Sequence, residues 1–334
     1  MESDGFPSRT NFGLPQMATL SQKKLMESVR LMEREWVKMH KALVRSRCGE
    51  VKEVRYRYVE MIGRGSFGVV VKIMDDRHNF FALKRVYQDR RYHNRELGIL
   101  MEVDHPNIVR LVSYFHTDKT SSGAYLNIIT DFVGMNLEEY IKANRGVETE
   151  EIRSVYRQIL EGLRYLHEKN ICHRDMKPSN ILIDTNGLVK ICDLGSAKVI
   201  KSGERNITYI CSRFYRAPEN LLDYKEYDFK IDIWSVGCVI AEFRHPGPIF
   251  KGDTSGSTLN RILEIVRVTS DDLIGLGCLK PDLKQGVGIR KYLEAFFSDP
   301  DLLEVLEKSL AFSPCKRSTA SELLRKQFFQ QAHE

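Results

Sequence analysis

The period of the apolar positions changes along the chain. Between residues 20 and 47, Leu25, Val29, Met32, Trp36, Met39 and Leu43 recur at alternating spacings of four and three. That stripe predicts one amphipathic helix within an N-terminal extension, residues 20–50, packed against the body of its own domain. A short coiled coil or partner-binding helix is the lesser reading, because so few heptads specify one poorly. From about residue 55 to 86 the pattern turns strand-like, with runs at 69–74 and 80–84 and turn chemistry at Asp75-Asp76-Arg77-His78-Asn79. Beyond Phe132 it becomes mostly helical. Ile152, Val155, Tyr156, Ile159, Leu160, Leu163 and Leu166 make one helical face, with Thr149 as its cap and Glu150 and Glu151 in the first turn. Sheet first and helices after predict an α+β chain with a small β-rich lobe, a larger α-helical lobe and a ligand cleft between them.

Composition narrows the class of protein. The 334 residues suffice for one bilobal domain. Residues 1–19, with Gly5, Pro7, Gly13 and Pro15, are expected to stay mobile. The opening MESDGFPSRT lacks a basic then apolar pattern, so no secretory signal is expected. No apolar run approaches the roughly 20 residues that cross a bilayer, and no membrane partner is expected. The net charge is +6 without a Lys/Arg-rich block, which argues against a nucleic-acid partner and leaves a mild preference for acidic or phosphorylated ones. The seven cysteines are scattered, odd in number and free of any Cys-x-x-Cys pair. That suits a reducing compartment, so the expected location is the cytoplasm or the nucleus.

Chemistry concentrates in a few segments. In Gly63-Arg64-Gly65-Ser66-Phe67-Gly68 the glycines let a backbone turn sharply and approach phosphate oxygens. Alone the pattern is weak, but strand-like runs on both sides favour a β-hairpin lid over nucleotide phosphates rather than a dinucleotide fold. Lys84 ends the run Ala82-Leu83-Lys84 and by itself reads as a lysine snorkelling to the surface. Glu96, on a predicted helix, is a candidate to hold that lysine against a phosphate. The strongest segment is His173-Arg174-Asp175-Met176-Lys177-Pro178-Ser179-Asn180, followed by Cys192-Asp193-Leu194-Gly195. Phosphoryl transfer to an alcohol needs a carboxylate to accept the hydroxyl proton, oxygen ligands for Mg²⁺ and a cation for the γ-phosphate. Asp175, the pair Asn180 and Asp193, and Lys177 fit those roles in turn. Any one alone could be a turn aspartate or a surface lysine; the ordered set at short spacing is not.

These segments resemble the signatures of protein kinases, over about residues 56–329. Ala217-Pro218-Glu219, Asp232-Ile233-Trp234-Ser235-Val236-Gly237 and Arg317 add to the match. The resemblance implies a bilobal protein-kinase fold over residues 51–332, with a β-rich N-lobe (about 51–132) carrying one regulatory helix and an α-helical C-lobe (about 133–332). It implies ATP and Mg²⁺ as cofactors, the nucleotide contacted by Ile62, Gly63, Gly65, Gly68, Val70, Ala82 and Lys84. It also implies a hinge at Thr130-Asp131-Phe132-Val133, with Thr130 as gatekeeper and backbone groups of Asp131 and Val133 on the adenine edge. Glu219 would pair with Arg317, and Lys177 two residues after Asp175 resembles serine/threonine kinases more than tyrosine kinases.

Within that family, three segments are similar to glycogen synthase kinase 3: Gln88-Asp89-Arg90-Arg91-Tyr92-His93-Asn94-Arg95-Glu96, Cys192-Asp193-Leu194-Gly195-Ser196-Ala197-Lys198 and Tyr209-Ile210-Cys211-Ser212-Arg213-Phe214-Tyr215-Arg216. The resemblance implies that Arg95, Arg174 and Lys198 bind a phosphate already present on a protein substrate, which directs transfer to a Ser/Thr four residues before a phosphoserine. The competing reading has the cluster bind an acidic residue, or the chain's own Ser202 or Thr208 when phosphorylated. Tyr209 matches the family's autophosphorylated loop tyrosine, with a packed, unmodified aromatic as the alternative. Leu194 stands where Asp-Phe-Gly has phenylalanine, and Asn11 where the family has its inhibitory serine, which speaks against pseudosubstrate autoinhibition. Residues 270–293 differ from the family's scaffold-docking segment, so those partners are not carried over and any regulatory or scaffold protein is unidentified. A catalytically dead scaffold would be expected to have lost Lys84, Asp175, Asn180 or Asp193, and all four are present. A small-molecule kinase is disfavoured by the segment ending at Ala217-Pro218-Glu219.

Overall fold

The computed structural model describes residues 38–64, 68–89, 94–117, 123–201, 203–277 and 285–330. They divide into two units: residues up to Asn94 with Leu111–Phe132, and Arg95–Arg110 with Val133 onward.

The first unit is all β. Strands β1 (His40–Ser46), β2 (Val51–Arg64), β3 (Val69–Asp75), β4 (Phe80–Asp89), β5 (Leu111–Thr117) and β6 (Gly123–Asp131) close into a barrel in the order β1-β2-β3-β4-β6-β5. Alternate side chains point inward, and Val44, Tyr56, Tyr58, Val69, Val71, Ile73, Leu83, Phe115 and Ile129 form one buried cluster. Each aliphatic side chain buried this way is worth about 1.5–3 kcal/mol relative to exposure. The turn expected at residues 75–79 is built on the Asp75 carboxylate, which accepts the N–H groups of Arg77 (2.9 Å) and Asn79 (2.8 Å).

Strand β1 corrects the helix expected over residues 20–47. Residues 20–37 lie outside the described residues, but His40–Ser46 is a strand paired with β2 (His40 opposite Tyr56, Arg45 opposite Val51) and with β5 (Arg45 opposite Tyr114). The stripe assigned Leu43 to the buried face, yet Leu43 is 69% exposed and Val44 is fully buried. A short run such as Ala42-Leu43-Val44 satisfies either period, and the deciding term is tertiary. β2 and β5 would otherwise be open edges, and one further strand pairs both and closes the barrel. Among the described residues the first strand of the β unit therefore starts at His40, ahead of the boundary expected at residue 51.

The second unit is helical around two small antiparallel sheets, one of three strands and one of two. It contains α1 (Arg95–Glu102), the short strand β7 (Met135–Asn136), α2 (Leu137–Ala143), α3 (Thr149–Glu168) and the strands β8 (Ile171–Cys172), β9 (Ile181–Ile183), β10 (Val189–Ile191) and β11 (Lys198–Val199). Helices α4 (Pro218–Leu221), α5 (Lys230–Ala241), α6 (Ser255–Ile265), α7 (Ser270–Ile274), α8 (Ile289–Leu293), α9 (Pro300–Ser309), α10 (Ala320–Leu324) and α11 (Gln327–Gln330) follow. All seven residues of the face read from the sequence are buried on α3. Thr149 is not its cap: the helix begins at Thr149, after Glu148, and the Thr149 hydroxyl accepts instead from Arg244 (3.4 Å). Helix α5 is buried from Ile231 to Ala241, as a helix apolar on every side should be. Its Trp234 stacks on Phe250 at 5.1 Å and lies 5.2 Å from the Arg317 guanidinium. Arg317 grips Glu219 through two bonds of 2.7 and 3.0 Å, the expected pair, with both side chains fully buried.

Candidate active site

The segment from β8 to β9 carries the expected catalytic residues, and one carboxylate on α5 shapes it. Asp232 accepts the backbone N–H of His173 and of Arg174 (both 2.8 Å), His167 Nε2 (3.0 Å) and the Cys172 thiol (3.3 Å). These bonds hold Arg174 at φ 66°, a left-handed conformation that an arginine does not adopt freely. Burial alone would raise the Asp232 carboxyl, but the His167 bond and the Arg174 N–H hold it below the usual carboxylate range. His173 bonds the Cys192 carbonyl through Nε2 (3.0 Å), tying this loop to the residue before Asp193.

Asp175 sits among donors. Its Oδ1 accepts the Ser212 N–H (2.9 Å) and hydroxyl (3.0 Å), and its Oδ2 faces Asn180 Nδ2 (3.1 Å) and Lys177 Nζ (2.9 Å). The Asn180 amide nitrogen also donates to the Asp175 carbonyl (2.8 Å), which fixes the amide with its oxygen left as an acceptor. The Asn180 carbonyl accepts the Cys192 N–H (3.0 Å), setting Asn180 beside the strand that leads to Asp193. Asp193 has φ 60°. An amide oxygen and a carboxylate suit Mg²⁺, which usually completes its shell with water and substrate phosphates. No group of three His, Cys, Asp or Glu able to hold a metal occurs among the described residues.

In the β unit, Val70 pairs with Lys84, and Ala82 with Thr130. These four share the sheet face opposite the one bearing Val69, Val71, Leu83 and Ile129. Gly63 is opposite Val70, and Ile62 beside it is 43% exposed. Of the lid glycines, Gly68 is required by packing, since a Cβ there would come 2.6 Å from the Arg85 carbonyl oxygen. At Gly63 a Cβ would meet the Val70 side chain at an ordinary contact distance, 3.5 Å from its Cβ, and Gly65 lies outside the described residues. Asp131 ends β6. Val133 opens the stretch of the helical unit that leads to β7, and is buried. Glu96 is buried in the first turn of α1.

The protein kinase domain family matches residues 56–329. The chain belongs to the protein kinase family. Two relatives from Schizosaccharomyces pombe are similar over most of its length. Protein kinase gsk3 is 38% identical over 299 residues, 86% of this chain and 77% of the relative. Protein kinase gsk31 is 36% identical over 300 residues, 86% and 78% respectively. Glycogen synthase kinase 1 of Pyricularia oryzae is 39% identical over 227 residues, 66% of this chain and 57% of the relative. The chain is thus a serine/threonine protein kinase of the glycogen synthase kinase 3-like group, and as such an ATP-binding enzyme acting on protein substrates.

The kinase brings two of its three expected phosphate ligands together. Lys198 on β11 pairs with Cys172 on β8, two residues before Arg174, and Arg174 Nε donates to the Ser196 carbonyl (2.7 Å). Neither cation is idle. Arg174 also bonds the Tyr227 hydroxyl (3.2 Å), while Lys198 reaches Glu204 (2.7 Å) and Asn206 (2.6 Å). Arg95 is exposed at the first position of α1, a helix that packs against the turn at residues 194–196. Leu194 in that turn is fully buried, so the leucine is accommodated.

Tyr209 is 76% exposed, with the Arg216 guanidinium 4.5 Å from its ring centre. It is therefore not a buried packing residue. Thr208 is buried and its hydroxyl donates to Asp223, whereas Ser202 lies outside the described residues. Three roles were not assigned from the sequence: Ser212 against Asp175, Tyr227 against Arg174, and Asp232 as the loop's anchor. Asp232 and Ser212 had a signal, since both lie in segments that carry the kinase resemblance, while Tyr227 had none.

Proposed function

We propose that this kinase transfers the γ-phosphate of ATP to a serine or threonine four residues before a phosphoserine already present on the substrate. The observation that carries this reading is the bond from Arg174 to the Ser196 carbonyl, which ties Arg174 to the turn ahead of Lys198; α1, headed by Arg95, packs against the same turn. A dianionic phosphate among three cations gains several charge-assisted hydrogen bonds. It would displace Glu204 from Lys198 and could then order the loop that carries both. The burial of Thr208 disfavours the loop's own threonine as the phosphate donor.

In the transfer, the substrate hydroxyl oxygen bonds to the γ-phosphorus as the bond to the ADP oxygen breaks, and Asp175 accepts the hydroxyl proton. Lys177, beside Asp175, offsets charge on the transferring group. Asn180 and Asp193 would hold Mg²⁺, which supplies positive charge to the phosphate oxygens. Lys84 would bind the phosphates with Glu96 as its partner. Ile62, Gly63, Gly65, Gly68, Val70, Ala82 and Thr130 would flank the nucleotide, and the backbone of Asp131 and Val133 would bond the adenine. Tyr209, exposed, is the proposed site of autophosphorylation, and the proposed location is the cytoplasm or nucleus.

The test compares turnover of one Ser-x-x-x-Ser peptide with and without phosphate on its second serine. A strong preference for the phosphorylated peptide, lost in Arg95→Ala, is expected. Equal turnover of both would remove the phosphate requirement and leave the kinase.

A further inference from the structure

The helical unit carries a basic hollow built from other residues. It has a volume of about 500 Å³ and is lined by Lys230, Lys308, Lys316, Arg317, Arg325 and Lys326. Four of these cations are already engaged: Lys230 with the Pro314 carbonyl (2.9 Å), Lys316 with Asp272 (2.8 Å), Lys326 with Glu304 (2.8 Å) and Arg317 with Glu219. Lys308 and Arg325 are exposed and make no ion pair among the described residues. Glu322, the single acid of the lining, is turned to the backbone N–H of Thr319 (2.7 Å). Six cations thus face four carboxylates, Glu219, Asp272, Glu304 and Glu322, leaving two positive charges in excess.

The rest of the lining is Cys315 and Ser318, with no aromatic or aliphatic side chain. It offers no platform for stacking bases and no wedge for a lipid surface. The volume falls among pockets that hold ligands of several groups, about 300–1,000 Å³, and exceeds what inorganic phosphate fills. We propose that this hollow binds a phosphate monoester dianion presented by a peptide, as a second phosphopeptide-binding point on the kinase. The doubly charged phosphate matches the excess charge, and Lys308 and Arg325 donate to it without giving up an existing pair.

Cys315, exposed on the lining, reports occupancy, and Cys48, exposed in the β unit, serves as internal control. The whole chain carrying Arg95→Ala, which disables the other phosphate cluster, is alkylated with iodoacetamide and each cysteine is followed by mass spectrometry. A phosphoserine peptide titrated to about 1 mM should slow alkylation of Cys315 by about tenfold at ten times its Kd, with Cys48 unaffected. Adding Lys308→Ala and Arg325→Ala should abolish the slowing while activity on an unphosphorylated peptide in the Arg95 wild-type background stays unchanged, showing the fold intact. Equal slowing by the unphosphorylated peptide, or none at all, overturns the site. Equal slowing by inorganic phosphate alone overturns the peptide as its ligand.

Discussion

Asp232 Oδ1 accepts the backbone N–H of Arg174 at 2.8 Å, and through that bond a residue 58 positions away fixes the conformation of the loop bearing Asp175. Asp232→Asn keeps the shape but leaves one neutral acceptor for the two backbone N–H groups. Hydrogen bonds to charged groups are worth roughly 1.5–3 kcal/mol each, so unfolding free energy should fall by about 3 kcal/mol. Turnover should fall more than the affinity for ATP. Urea unfolding with steady-state kinetics checks both; unchanged stability would refute the anchoring role.

Ser212 donates both its N–H and its hydroxyl to Asp175 Oδ1. Ser212→Ala removes the second of these and leaves the backbone bond. Loss of one bond to a carboxylate should lower kcat by about tenfold, equivalent to roughly 1.4 kcal/mol, with KM for ATP little changed. Asp175→Asn should abolish turnover and keep nucleotide binding. An undiminished rate in the second variant would exclude Asp175 as the proton acceptor.

The strand at His40–Ser46 separates two readings of neighbouring residues. Val44→Thr puts a hydroxyl into the barrel core and should cost about 1–3 kcal/mol. Leu43→Thr, at a position 69% exposed, should change stability by less than about 0.5 kcal/mol. A helix with Leu43 on its buried face requires the opposite order, so thermal melts of the pair decide.

Glu242, just beyond α5, is buried, and its Oε1 has no hydrogen-bond partner among the described residues. Burial pushes its carboxyl up to about 7, with the Tyr215 hydrogen bond opposing and the charge of Glu138 adding; Cys238 is the further titratable group near it. Because the folded value lies above the unfolded one, near 4.3, the protonated folded form is favoured at low pH. That stability, about 3 kcal/mol, is present below pH 4 and is lost as pH rises towards 7. Glu242→Gln should flatten this dependence, so that the variant gains Tm relative to wild type at pH 8 but not at pH 4. Parallel pH profiles of the two proteins would rule the effect out.

The candidate residues of chemistry stood out in the sequence because their spacing is local. Asp175, Lys177 and Asn180 fall within six positions, and the structure ties Asp175 to both Lys177 and Asn180. The buried face of α3 was legible for the same reason, since a period of 3.6 needs only its own twenty residues. Tyr209 illustrates the limit: its position was marked, but only the structure shows it exposed under Arg216.

The sequence by itself determined the β-then-α order and the family and marked the candidate catalytic segment, because each is written in neighbouring residues. Tertiary structure alone decided that residues 40–46 form a strand, that Asp232 anchors the loop, that Ser212 faces Asp175 and that Glu242 is buried beside Tyr215. Each of these depends on groups far apart in the chain, and the free energy that selects them, whether strand pairing, a satisfied buried carboxylate or its desolvation, exists only once those groups meet.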